Sequence, residues 1–461
     1  MVARESAPDA DLDARTRRKR LGRWLTPHDL VERVVAATMP NVGASERVRV
    51  LDPACGDGRF LAAAAVHLGA LGAIPELHGV DIDRDAVDSA RSALARWPAA
   101  IEHADALRRD WGGEQFDIVI GNPPFLSQMA ASTTRGGASR HGGGPYADAA
   151  AEFLALAVDL AQADGGRVGL VLPQSILGSR DAAPIRRKVS AVADLVWSWW
   201  TPGRAFADAQ VVVCALAFEV AGTVRTTPDD DSWTRVVTDV LGVPVLPPLS
   251  TAGVLGDRAT TTANFRDEYY GLVPAVGDDV DGPPLITSGL VDPGRCRWGD
   301  RPVRFARTIH QRPRVDLARL TPRMRRWADA RLVPKVLVAN QTRIIEAVVD
   351  DAGSWLPGVP LITVAPSAGI DASAIAAVLT SPTASAWAWR YAAGTGLSGR
   401  VLRLGPRLLA DLPWPSGELD EAVDALRGGD VESCGRAVQR AYGVPADDGL
   451  FDWWLTHLPS R

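Results

Sequence analysis

The chain has 461 residues, too many for one hydrophobic core, so two or three domains are expected. Its 46% hydrophobic and 23% charged residues exclude a disordered chain, and a net charge of −5 argues against a polycation that coats nucleic acid without selection. The four cysteines (Cys55, Cys214, Cys296 and Cys434) are scattered without pair spacing, which indicates neither a disulfide framework nor a zinc site, and no metal is expected. The opening residues lack the apolar core of a secretion signal, and Val211 to Val220 is far too short to span a bilayer. No membrane partner is expected, and the expected compartment is the cytoplasm.

Residues 1–21 are expected to be a basic polar arm ending near Arg17-Arg-Lys-Arg20. Thr26 is suited to cap a helix with Pro27 at its first position, ahead of the amphipathic run Leu30 to Thr38. Val48 to Leu51 reads as a short buried strand. It is followed by the turn Asp52-Pro-Ala-Cys-Gly-Asp-Gly-Arg-Phe60 and an alanine-rich helix, Leu61 to Leu68. Strand, glycine turn and helix bring a backbone close to a cofactor, with Gly56 and Gly58 allowing the approach. The spacing is not that of a dinucleotide site, and acidic Asp52 and Asp57 suit a ligand carrying an amino group or positive charge rather than a polyphosphate. In the next strand, Leu77 to Ile82, Asp81 can hold ribose hydroxyls and Ile82 can pack on an adenine face. Asp105, within Ile101 to Leu107, can meet a base amino group. An amino acid end, a ribose, an adenine and no phosphates describe S-adenosylmethionine.

Phe116 to Gly121 reads as a buried parallel strand, closed by Asn122-Pro123-Pro124-Phe125. The two prolines cannot extend a ladder, so carbonyls there are free to point out of the sheet's carboxyl edge. The Asn122 oxygen and the Pro123 carbonyl can each accept one hydrogen of a base amino group, while Phe125 stacks on the ring.

Taken in order, Thr26-Pro27, Asp52 to Phe60, Gly79-Val-Asp-Ile-Asp83, Ala104-Asp-Ala-Leu107 and Asn122 to Phe125 resemble the motif series of gamma-class N6-adenine DNA methyltransferases. The resemblance implies an α/β, Rossmann-like methyltransferase fold with a mostly parallel seven-stranded sheet. It implies that Thr26, Pro27, Asp52, Ala54, Gly56 and Phe60 surround the methionine part of S-adenosylmethionine, with Asp81, Ile82, Asp105 and Leu107 around the ribose and adenine. Asn122, Pro123 and Phe125 would hold an everted target adenine, with Pro124 beside them. Many relatives carry tyrosine where this chain has Phe125, which keeps the stacking and loses a hydroxyl.

The glycine-rich stretch Leu126 to Pro145 is expected to be a loop at the mouth of the site, with Arg135, Arg140 or His141 near phosphate. A helix over Tyr146 to Gln162 and strands over Gly166 to Leu172, Leu195 to Trp200 and Gln210 to Val220 complete a catalytic domain, 22–225. The acidic cluster Thr227 to Ser232 marks a boundary, beyond which irregular periodicity predicts an α+β domain, 226–415. Within it, 301–345 holds twelve basic residues against two acidic ones, a local charge of +10 in an acidic protein. Such one-signed charge is the footprint of a nucleic-acid surface, and Arg312, Arg314, Arg323, Arg325, Arg326, Lys335 and Arg343 are its candidate contacts. Looser matches from Leu332 to Arg343 and on to Leu412-Pro-Trp-Pro415 resemble the family's target-recognition region. A helical tail, 416–461, is expected to close the chain.

The function so implied is methyl transfer to the N6 of adenine at a specific sequence in double-stranded DNA, in restriction-modification or phage defence. A separately encoded endonuclease or defence subunit would be the partner. Two alternatives stand beside it: a similar enzyme acting on RNA or on a protein glutamine, and a silent DNA-binding subunit of a defence complex.

Overall fold

A computed structural model describes residues 25–40, 42–125, 139, 141–144, 147–203, 205–206, 211–224, 232–264, 266–396, 398–446 and 449–459. The chain divides into two compact units, residues 1–237 and 238–461.

The first unit is built on seven strands: β1 (Arg47–Asp52), β2 (Ile74–Asp81), β3 (Ala99–His103), β4 (Ile118–Gly121), β5 (Arg167–Pro173), β6 (Ala193–Trp200) and β7 (Val213–Val220). Their order across the sheet is β3-β2-β1-β4-β5-β7-β6. β1 to β5 pair in parallel, while β7 runs antiparallel to both β5 and β6. The expected mostly parallel sheet is therefore present, with the last strand inserted in reverse next to the edge. β4 is buried at every position, as an apolar β-branched run covered on both faces requires.

Helices α1 (His28–Thr38), α2 (Arg59–Ala70), α3 (Arg84–Ala93), α4 (Ala149–Leu160) and α5 (Ala183–Val192) accompany this sheet. Alanines let α2 lie close to the strands, burying Phe60, Leu61, Ala64, Ala65 and Leu68. The sequence reading did not single out α3, although its start carries a cap, Asp83, whose side chain accepts from the Asp85 N–H.

The second unit holds a four-stranded antiparallel sheet in the order Ala347–Asp350, Lys335–Ala339, Leu361–Pro366, Ala259–Ala263, together with short two-stranded ribbons and helices. One of its cores gathers Leu272, Leu285, Phe305, Val315, Met324 and Leu356; another gathers Ile286, Leu290, Val291, Leu337 and Leu361. Residues 416–461, expected as a tail, are integral to this unit. Phe451 and Trp454 pack on Ile344, and Tyr442 donates to the Pro413 carbonyl.

Candidate active site

The strand order sets out the candidate residues in space. β3, β2, β1 and β4 are neighbours, and at or just past their carboxyl ends lie Asp105, Asp81, Asp52 and Asn122 respectively. Three strand spacings separate the first from the last, about 14 Å, enough for an extended nucleoside bearing an amino acid. Strand order reverses between β1 and β4, which is where open α/β sheets form their ligand crevice.

The turn after β1 is closed by carboxylates. Asp52 is buried, and its Oδ1 accepts from the Ala54 N–H at 3.0 Å. A side chain at Gly121 would collide with the Asp52 carboxylate, so only glycine can end β4 here. Burial pushes the Asp52 carboxyl well above its ordinary range; the Ala54 N–H opposes this, and the nearby charges of Asp81 and Asp57 add to it. Asp81, also buried, accepts from the Gly56 N–H at 2.9 Å and the Asp83 N–H at 2.8 Å. Gly56 has a positive φ of 56°, and nothing stands within 4 Å of where its side chain would be, which leaves room above the turn. Ile82, beside Asp81, is 60% exposed, an apolar face at the same edge. Asp105 is half-buried, accepting from the Leu107 N–H at 3.1 Å and pairing with Arg108 at 3.2 Å. Ala54, Pro27 and Leu107 are half-buried, whereas Phe60 is buried on the inner face of α2.

Thr26 does something other than cap a helix. Pro27 takes the cap position of α1, and no side chain closes that end. The Thr26 hydroxyl is instead 2.9 Å from Nδ2 of Asn122, which donates to it across 96 residues of chain. Asn122 and Pro124 are half-buried, and Pro123 and Phe125 are buried. Sequence reasoning missed Phe206, whose buried ring meets Phe125 edge-on at 6.4 Å between centroids. A lone phenylalanine in the connection after β6, at the carboxyl edge of the same sheet, was the available signal.

In the second unit the basic stretch is mostly surface. Arg312, Arg323, Arg325, Arg326 and Arg343 are exposed. Arg323 and Arg326 lie one turn apart on the helix Pro322–Asp329 and make no ion pair among the described residues, whereas Arg325 is paired with Asp329 at 2.9 Å. Arg314 is half-buried and committed to the fold, donating to the Gly282 carbonyl and lying over Trp298. Lys335 is a correction. Its side chain is fully buried, 2.5 Å from Asp350, so it is a core ion pair rather than a phosphate contact. Its neighbours in the strand, Val336, Leu337 and Val338, are also buried in the second unit's central sheet. Arg135 and Arg140 lie outside the described residues.

A glycine turn, carboxylates at the ends of three adjacent strands and a reversed seventh strand are the architecture of the Rossmann-like methyltransferase fold. Residues 12–220 match the family model for N-6 DNA Methylase. The chain is 41% identical over 106 residues to the type II methyltransferase M.TthHB8I of Thermus thermophilus, covering 23% of this chain and 21% of that one. It is 21% identical over 173 residues to the modification methylase CviBIII of Paramecium bursaria Chlorella virus NC1A, covering 38% and 43%. The chain thus spans less than half the length of either relative. Among solved structures, the type I restriction-modification methyltransferase subunit from Streptococcus thermophilus aligns with a TM-score of 0.36 and 18% identity, covering 45% of this chain and 46% of that one.

Proposed function

We propose that this protein transfers a methyl group from S-adenosylmethionine to the N6 of adenine in duplex DNA, as a gamma-class enzyme of a restriction-modification or defence system. The observation that supports the reading is that Asn122-Pro-Pro-Phe125 directly follows the carboxyl end of β4, next to the acidic strand ends of β1 and β2 across the switch point. The acidic edge fits the cofactor by its chemistry: Asp52 toward an ammonium, Asp81 toward ribose hydroxyls, exposed Ile82 toward a flat ring and the open space at Gly56 toward the chain between them. When bound, S-adenosylmethionine supplies a methyl already activated on a sulfonium.

The rest is work for the protein. The amino group of adenine is a poor nucleophile because its lone pair is delocalised into the ring. Two fixed acceptors, the Asn122 side-chain oxygen and the Pro123 carbonyl, draw it toward a tetrahedral geometry and stabilise the positive charge that develops. Phe125, with Phe206 edge-on behind it, offers an aromatic wall to an everted base. Orientation at roughly 3–3.5 Å is then the main remaining contribution. Arg312, Arg323, Arg326 and Arg343 would supply phosphate or base contacts from the second unit, and a separately encoded endonuclease would be the partner. Incubating the full chain with methyl-labelled S-adenosylmethionine and duplex DNA, then digesting to nucleosides, should yield labelled N6-methyladenine. Equal labelling of RNA, or transfer only to protein, would overturn the choice of substrate.

A further inference from the structure

Thr26 stands between the two halves of the proposed site. Its hydroxyl accepts the Asn122 Nδ2–H at 2.9 Å, and it is buried, so water does not compete for that bond. Using the amide's donor end at Thr26 turns the acceptor end of Asn122 the opposite way. Thr26 is itself held by the cofactor turn. The Arg59 guanidinium donates to the Thr26 carbonyl and pairs with Asp57 through Nε at 3.0 Å and Nη2 at 2.6 Å. The Arg59 contacts outweigh the burial of Asp57 and hold its carboxyl below the usual range, so the pair is charged at neutral pH.

We propose that Thr26 is a positioning residue that orients the Asn122 amide, and that the Asp57–Arg59 pair of the cofactor turn fixes Thr26 for this task. The proposal rests on the reading of Asn122 as the base-facing acceptor, and it assigns Thr26 to the substrate side rather than to the methionine part of the cofactor. A mutation that releases the amide leaves the pocket walls intact but lets the acceptor swing away from the amino group. The loss therefore falls on the transfer step and not on binding.

The test compares Thr26→Val, which keeps the branched shape and removes the hydroxyl, with Thr26→Ser, which keeps the hydroxyl. Single-turnover methylation of duplex DNA should fall about tenfold or more in Thr26→Val and return to within about threefold of wild type in Thr26→Ser. Calorimetric affinity for S-adenosylmethionine should stay within about twofold in both. Arg59→Met should show a smaller loss of the same kind. In an Asn122→Ala background, Thr26→Val should add little, because the group it acts through is gone.

Undiminished turnover in Thr26→Val, or an equal loss with and without Asn122, overturns the proposal while leaving the methyltransferase reading intact. So does a loss of cofactor affinity in place of rate, which would return Thr26 to the cofactor. If Thr26→Val does not fold, Thr26→Ala carries the same comparison. A wild-type chain that methylates no DNA removes the reading itself, and this proposal with it.

Discussion

Asn122 is the residue on which the proposed chemistry turns. Its side chain is anchored at one end by Thr26, and it follows a glycine that the Asp52 carboxylate forbids any other residue to replace. Asn122→Ala should leave S-adenosylmethionine affinity within about twofold, since the acidic strand ends are untouched. Methyl transfer should fall by a hundredfold or more, the cost of about 3 kcal/mol for losing one fixed acceptor of developing charge. The measurement is single-turnover labelling of duplex DNA, and a mutant with most of its wild-type rate would remove Asn122 from the mechanism. At this scale the placement of Asp52, Asp81 and Asn122 at strand ends was readable from sequence, because each lies at or just past the end of a strand whose own residues announce it. It was not readable for Thr26, whose neighbours suggest a helix cap while its hydroxyl is engaged 96 residues away.

Elements of the second unit are held by groups that look like surface charge. On the strand Lys335–Ala339, Lys335 is buried against Asp350 of the adjacent antiparallel strand Ala347–Asp350. Asp350 also accepts from the backbone N–H groups of Ser354 and Trp355, both at 2.9 Å, so it remains partnered when the lysine is removed. Asp350→Ala should therefore cost about 3–5 kcal/mol by stranding a buried ammonium. Lys335→Met should cost clearly less, as read by urea unfolding, and the opposite ranking would refute this account of the pair. Glu346, one residue before that second strand, has its carboxyl pushed up to about 8 by burial, with the charge of Asp292 adding and Arg301 opposing. Between its ordinary value of 4.5 and about 8 the folded protein keeps a proton that the unfolded chain has released. Stability therefore falls as pH rises through this window. Glu346→Gln should flatten that slope in thermal melts from pH 5 to 8, and an unchanged slope would show that Glu346 is not its source.

Over the whole molecule, a net charge of −5 coexists with a +10 stretch in the second unit, so any attraction to DNA is local. Arg323 and Arg326 stand out within it, being exposed, one helical turn apart and without ion pairs among the described residues. Replacing both with Glu should weaken binding to every duplex and lower the slope of log affinity against log salt by up to about two. Affinity for S-adenosylmethionine should not change, since its proposed site belongs to the other compact unit. Wild-type affinity and wild-type salt dependence in the double mutant would show these arginines to be solvated surface. A single substitution that relaxes the methylated sequence instead would mark a residue reading base edges.

The sequence by itself determined the order of the parallel strands' motifs, the glycine turn and the acidic strand ends, because strand, turn and helix start are written in residues next to each other. It also determined that a basic stretch lies in the second half of the chain, since counting charges needs no coordinates. Tertiary structure alone decided which of those charges meets solvent, and it took Lys335 inside while leaving Arg323 and Arg326 outside. It alone brought Phe206 to Phe125 and Thr26 to Asn122, and placed β7 in reverse between β5 and β6. Each of these joins segments far apart in the chain, where pairing is selected by the packing of the whole sheet and leaves no local pattern to read.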